Sequence, residues 1–225
     1  MDINLSKLND SIIKCRECPR LIKFRKKIVK TKRKQYENET YWGKPITGFG
    51  DNSGKILFVG LAPAAHGGTR TGRVFTGDRS SDFLYKCLHK ANISNQSNSD
   101  HIDDGLKLKN AYITAALKCV PPEDKPLKIE LDNCSKYFDK ELELLKNLKV
   151  IVALGKIDFD ACKYFYKKKY NFYENINFGH GKIYKLPSGI LLVGCYHPSP
   201  RNVNTGRINE KKMTSLFKKI KKINV

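Results

Sequence analysis

No stretch of this 225-residue chain approaches the roughly 18 consecutive apolar residues of a membrane-spanning helix. The opening residues, MDINLSKLND, lack the apolar core of a secretory signal. Acidic residues are scarce: 22 Asp and Glu stand against 43 Lys and Arg, for a formal net charge of +21. Such an excess favours a polyanionic partner, because each phosphate neutralised by Lys or Arg releases a condensed counterion. Nucleic acid comes first and an anionic membrane second. The expectation is an intracellular protein, cytoplasmic and nucleoid-associated, with no membrane partner. The sequence also lacks internal repeats and any linker long enough to divide it, so residues 1–225 read as a single domain. Tryptophan occurs once, and Trp42 is read as a packing residue.

Four short apolar runs stand out: residues 55–59 (KILFV), 111–116 (AYITAA), 150–155 (VIVALG) and 190–194 (ILLVG). Each is a near-continuous β-branched or aromatic segment of the kind a strand buried on both faces requires. Between them, residues 127–148 place Leu131, Cys134, Phe138, Leu142 and Leu145 at steps of three and four, an amphipathic helix. Further helices are expected over about 4–14, after residue 80, over 156–166 and from about 204 to 223. Residues 92–104 are polar and read as a surface excursion. Strands alternating with helices argue for an α/β fold, a parallel sheet with helices on both faces. In that arrangement the loops following the strands converge on one edge, where open α/β sheets bind ligands.

Those loops carry the unusual residues. The first, from Gly60 to Ser80 (GLAPAAHGGTRTGRVFTGDRS), combines small residues with His66, Arg70, Arg73, Phe75 and Asp78. The last reads Tyr196-His197-Pro198-Ser199-Pro200. A dense basic run, Lys23 to Lys34, fits a solvated helix face and a phosphate contact equally well.

Seven cysteines in a reducing compartment read as thiols or metal ligands rather than disulfides. Cys15 and Cys18 form a C-x-x-C pair closing a helix; Cys119 and Cys134 lie fifteen residues apart. Four thiolates suffice for a [4Fe–4S] cluster or a structural zinc, and the residues alone do not choose. Cys87, Cys162 and Cys195 sit in apolar contexts and read as core residues.

Three segments carry a resemblance: Gly60–Ser80, Ala111–Pro122 (AYITAALKCVPP) and Tyr196–Arg207 (YHPSPRNVNTGR). Together with the four cysteines they resemble the uracil-DNA glycosylase superfamily, specifically its iron–sulfur type-5 branch. The resemblance implies a small αβα sandwich on a four-stranded parallel sheet. It also implies a [4Fe–4S] cluster on Cys15, Cys18, Cys119 and Cys134. The activity it implies is monofunctional excision of uracil from double-stranded DNA in base-excision repair, leaving an abasic site. Such chemistry requires extruding the base from the stack.

The same resemblance implies site roles. Phe75 would stack on the flipped base, and His197 would donate to uracil O2 as charge develops there. Asp78 is offered as the residue that positions water or counters the sugar's positive charge. An Asp just before a helix is also a preferred N-cap. Gly60, Ala62, Ala64, His66, Ala115 and Asp124 complete the expected substrate contacts. Arg70 and Arg73 are expected on DNA, as are Ser199, Arg201, Asn202, Val203 and Arg207 of a wedge loop filling the gap left by the extruded nucleotide.

The family pattern is departed from in Gly60–Ala64, where other branches carry an Asp or Asn, at Ser81, where a glycine is frequent, and at two positions tied to base reading. Ala115 stands near where type-4 enzymes carry an Asn that reads the base, and Asp124 stands where an Asn is expected. Losing a buried polar reader relaxes discrimination, so other deaminated bases such as hypoxanthine are expected substrates. The expected state is a monomer, with replication or repair partners left open. The alternative from another class is a non-catalytic iron–sulfur nucleic-acid-binding module.

Overall fold

The computed structural model describes residues 3–223. Two helices open the chain, α1 (Ile3–Lys14) and α2 (Pro19–Lys30), with the C-x-x-C segment between them. Pro19 starts α2, where a missing N–H is harmless and the fixed φ suits the first turn. Six strands follow: β1 (Phe49–Gly50), β2 (Ile56–Gly60), β3 (Ala111–Ala115), β4 (Val150–Ala153), β5 (Ile183–Lys185) and β6 (Leu191–Gly194). They form one sheet in the order β1-β3-β2-β4-β6-β5.

The four strands expected from apolar runs are the parallel centre, β3-β2-β4-β6. The expected strand count is corrected at the edges, where β1 and β5 add short antiparallel pairs. At two and three residues, only partly buried, these edges leave no apolar run to find.

Period-two alternation sorts the strands onto two layers. Ile56, Phe58, Ile113, Val152 and Val193 face α4 (Arg79–Lys90) and α8 (Glu210–Ile223). Leu57, Val59, Tyr112, Ile151 and Leu192 face α1, α5 (Lys128–Leu144) and α6 (Lys156–Tyr170). The result is the expected αβα sandwich. The C-terminal helix starts later than its pattern suggests: Pro200–Asn204 forms a separate short helix, α7, and Gly206 breaks the chain at φ 67° before α8. A one-turn helix, α3 (Gly68–Thr71), lies inside the loop after β2. Residues 92–104 are less superficial than expected, since Ser94 and Ser99 are buried.

One polar group crosses the second layer. Lys118 Nζ lies 2.5 Å from Glu141 Oε2 and 2.7 Å from Thr114 Oγ1, and Thr114 donates to the same carboxylate at 2.9 Å. Both charged side chains are almost fully buried. Removing one partner of such a pair strands the other charge away from water. Lys118→Met is expected to cost about 3–5 kcal/mol of stability, read as a lower urea midpoint, with the double variant Lys118→Met/Glu141→Leu recovering much of the loss.

Candidate active site

The carboxyl ends of β2, β3 and β6 lie on one edge of the sheet, because these strands run parallel. From β2 the chain first crosses to β3 on one side, then to β4 on the other, so the edge contains a topological switch point. The loops leaving it enclose a cavity of about 360 Å³. Leu61, Ala62 and Ala64 come from the loop after β2, and Asp124 from the turn after β3. His197 and Ser199 come from the segment after β6. Phe75, Asp78 and Ser80 close the remaining side.

Phe75 is held by its backbone and by a glycine. Its φ of 48° lies in the left-handed region, which a bulky residue rarely occupies without surrounding constraint. Its ring rests on Gly60, where an added Cβ would come within 2.5 Å of the ring. Gly60 therefore shapes the cavity from beneath the aromatic shelf. Ala115 pairs in register with Gly60 and is buried behind it, away from the lining. The Phe75 and His197 ring centroids are 6.1 Å apart, inclined at 35°.

Asp78 performs the N-cap role and remains available for another. Its Oδ1 accepts from the backbone N–H groups of Ser80 (2.9 Å) and Ser81 (3.0 Å), capping α4. Its Oδ2 lies against Gly67, where a Cβ would sit 2.1 Å away. Burial pushes the Asp78 carboxyl above the ordinary aspartate range, and the two cap bonds pull it partly back. Burial acts oppositely on His197, lowering its imidazole to about 4 and keeping it neutral at pH 7.

Several sequence expectations are corrected here. Arg70 and Arg73 do not face DNA, since both are buried with their donors committed. Arg70 bonds Glu39, the His66 carbonyl and the Gly77 carbonyl. Arg73 bonds Asp104 at 2.6 Å, along with Ser99, Thr76 and the Ile102 carbonyl. They brace the loop carrying Phe75. His66 is off the lining, its Nδ1 2.8 Å from the Tyr41 hydroxyl.

Along the expected wedge, Val203 turns back onto the main core and Asn202 donates to the His197 carbonyl at 2.9 Å. Ser199 caps α7, accepting from Asn202 N–H. Arg201 and Arg207 are exposed on the neighbouring surface groove. Leu61, Ser80 and Pro200 join the lining unforeseen; Ser80 and Pro200 lie within two or three residues of Asp78 and His197, the signal that could have found them.

A second cavity lies close by. Cys15, Cys18, Cys119 and Cys134 all line it, although three separate segments carry them. Leu21 and Leu117 form its apolar wall with Cys134, and Ala62 packs against the same cluster. Cys87, Cys162 and Cys195 are buried elsewhere, in the core.

A family model described as the uracil DNA glycosylase superfamily matches residues 47–221, which include every segment lining the first cavity. The chain belongs to this superfamily. It is 42% identical over 209 residues to the type-5 uracil-DNA glycosylase of Thermus thermophilus, covering 93% of each chain. It is 38% identical over 221 residues to that of Mycobacterium leprae, covering 98% of this chain and 96% of the relative. A type-4 uracil-DNA glycosylase from Archaeoglobus fulgidus is 28% identical over 158 residues, 68% of this chain and 70% of the relative. Superfamily membership agrees with the αβα fold and with a cavity at the carboxyl edge of the sheet.

The His197 shift sets a pH signature. An unfolded histidine takes up its proton near pH 6.5, whereas the folded one resists until about 4. Between these values the unfolded state binds more protons, so folding stability falls as pH is lowered through the window. His197→Gln is expected to flatten that part of the profile, measured as the change in urea midpoint between pH 7 and pH 5.

Proposed function

We propose that this protein extrudes uracil from double-stranded DNA and hydrolyses its N-glycosidic bond, leaving an abasic site for base-excision repair. The observation that carries this reading is the meeting of Phe75 and Asp78, from the loop after β2, with His197, from the segment after β6, on one cavity. Bond breaking leaves positive charge on the sugar and negative charge on the departing base. The neutral His197 imidazole supplies an N–H to the base oxygen as that charge develops. Asp78, with one oxygen spent on the helix cap, presents the other to the sugar side. There it orients a water molecule, whose oxygen bonds C1′ while its proton passes to the carboxylate; a raised carboxyl pKa suits that acceptance.

No lysine lines the cavity among the described residues, which supports hydrolysis without a Schiff-base lyase step. The lining also has no Asn or Gln to read one base edge. This supports acceptance of further deaminated bases, hypoxanthine among them.

The four cysteines fit a [4Fe–4S] cluster. They come from three separate segments and line one hollow, beside Leu21 and Leu117. Thiolates spread around a cavity suit a polynuclear cluster better than one tetrahedral zinc. When bound, the cluster supplies a staple between the α1–α2 junction and the segment running from β3 into α5.

DNA approach is supported by Arg201 and Arg207 and by the outer face of α2. Lys23, Lys26, Lys27 and Lys30 are exposed there, without side-chain partners among the described residues, and their groove reaches Pro122, beside the Asp124 turn of the cavity.

The direct test is incubation with a uracil-containing oligonucleotide followed by alkali, which cuts only where a base has been removed. Asp78→Ala is expected to slow excision by about two to four orders of magnitude, as loss of a positioned base does, while abasic-DNA binding stays close to normal. Near-normal turnover would confine Asp78 to its cap. Replacing Lys23 and Lys27 by Gln is expected to make log affinity fall less steeply with log salt, by about 0.9 for each phosphate these lysines neutralise, with excision at saturating DNA unchanged.

A further inference from the structure

Helix α2 sorts its basic residues by face. Lys23, Lys26, Lys27 and Lys30 point outward, but Arg25 points inward and is only 4% exposed. Cys18, Leu21 and Arg25 follow one another at helical steps of three and four; the first two line the four-cysteine cavity, and Arg25 reaches Cys119 behind them. Three other arginines held against the protein each meet a carboxylate: Arg20 with Glu130, Arg70 with Glu39, Arg73 with Asp104. Arg25 meets none among the described residues. Its Nη1 donates to Cys119 Sγ at 3.0 Å, and its Nε is buried without an acceptor.

A guanidinium cannot shed its proton inside a protein, so Arg25 holds a permanent positive charge at the edge of the site, against the Cys119 sulfur. Burying such a charge beside neutral groups is strongly unfavourable unless an anion shares the space. Four thiolates around an iron–sulfur cube form a net anion, and the sulfur that Arg25 touches belongs to one of them.

We propose that Arg25 is the counter-charge of the cluster: it donates to the Cys119 ligand, raises the cluster's reduction potential and slows its loss. This rests on the [4Fe–4S] reading above. The sign follows from charge. Reduction adds an electron to an already anionic group, and a fixed neighbouring cation with a hydrogen bond to a ligand sulfur favours the more negative state. Arg25 acts through Cys119 and touches neither DNA nor base, so it is a tuning residue. The geometry also explains why one basic side chain of a strongly basic helix turns away from solvent: its partner is the interior anion.

The test compares the full-length, iron-loaded wild type with Arg25→Gln and Arg25→Lys. The readouts are iron per chain, absorbance near 400 nm, reduction potential by spectroelectrochemistry, and the rate of bleaching in excess chelator. Arg25→Gln is expected to shift the potential to more negative values and to bleach about tenfold faster, the lower end for losing a hydrogen bond to a charged group. Arg25→Lys, which keeps the charge but not the fork, is expected to fall between it and the wild type. Should the Gln variant fail to fold, the shift of the Lys variant decides. An unchanged potential and bleaching rate in both variants would overturn the proposal. So would an equal loss of thermal stability in iron-loaded and stripped Arg25→Gln with no change in potential, which marks a packing role. A wild type that binds no iron is a separate outcome, seen before any variant is compared, and it removes the cluster reading itself.

Discussion

Two backbone hydrogen bonds, from Ala116 N–H to the Gly60 carbonyl (2.9 Å) and from Leu117 N–H to the Leu61 carbonyl (2.8 Å), extend the β2–β3 ladder beyond the strands. They hold two loops side by side as these leave the sheet. One loop carries Leu61, Ala62 and Ala64 into the wall of the cavity that Phe75, Asp78 and His197 line. The other carries Leu117 and Cys119 into the cysteine cavity. Ala62 belongs to both neighbourhoods, lining the first and packing on the apolar cluster of the second. The parallel register of two central strands thus sets the two cavities side by side.

Burial gives the two titratable groups of the cavity their character. The same loss of water that keeps His197 neutral pushes Asp78 toward proton acceptance, because desolvation disfavours whichever form is charged. A neutral imidazole and a carboxyl of raised proton affinity thus line the same cavity. Their positions depend on groups that never touch the substrate. Arg73, tied to Asp104, Ser99 and Thr76, fixes the loop whose left-handed Phe75 forms the shelf. Glu39 and the Gly77 carbonyl do the same through Arg70. The large positive charge of the chain therefore divides by location. Exposed lysines and arginines face the solvent from which a polyanion would come, and the buried arginines organise the site.

That division explains what is legible in the sequence. An arginine in a glycine-rich loop looks like a phosphate ligand whether it points out or in, and Arg70 and Arg73 share that ambiguity. Their acids, Glu39 and Asp104, lie 31 positions away on opposite sides, and no local pattern announces such a pairing. Val203 looks like a wedge tip for the same reason, since its packing onto the core depends on where α7 folds. Asp78 presents two competing roles in the sequence; in the folded chain one oxygen serves the cap and the second is free of it.

The sequence by itself determined the layers and the family. Near-continuous apolar runs and amphipathic runs with period three to four depend only on neighbours along the chain, so β2, β3, β4 and β6 and the longer helices between them could be read directly. The motif segments did the same for superfamily membership. Tertiary structure alone decided which charged groups are buried, which oxygen of Asp78 is available, and that Arg25 faces Cys119. Desolvation and pairing are set by distance in space, and the residues that supply them come from strands and loops far apart in the chain.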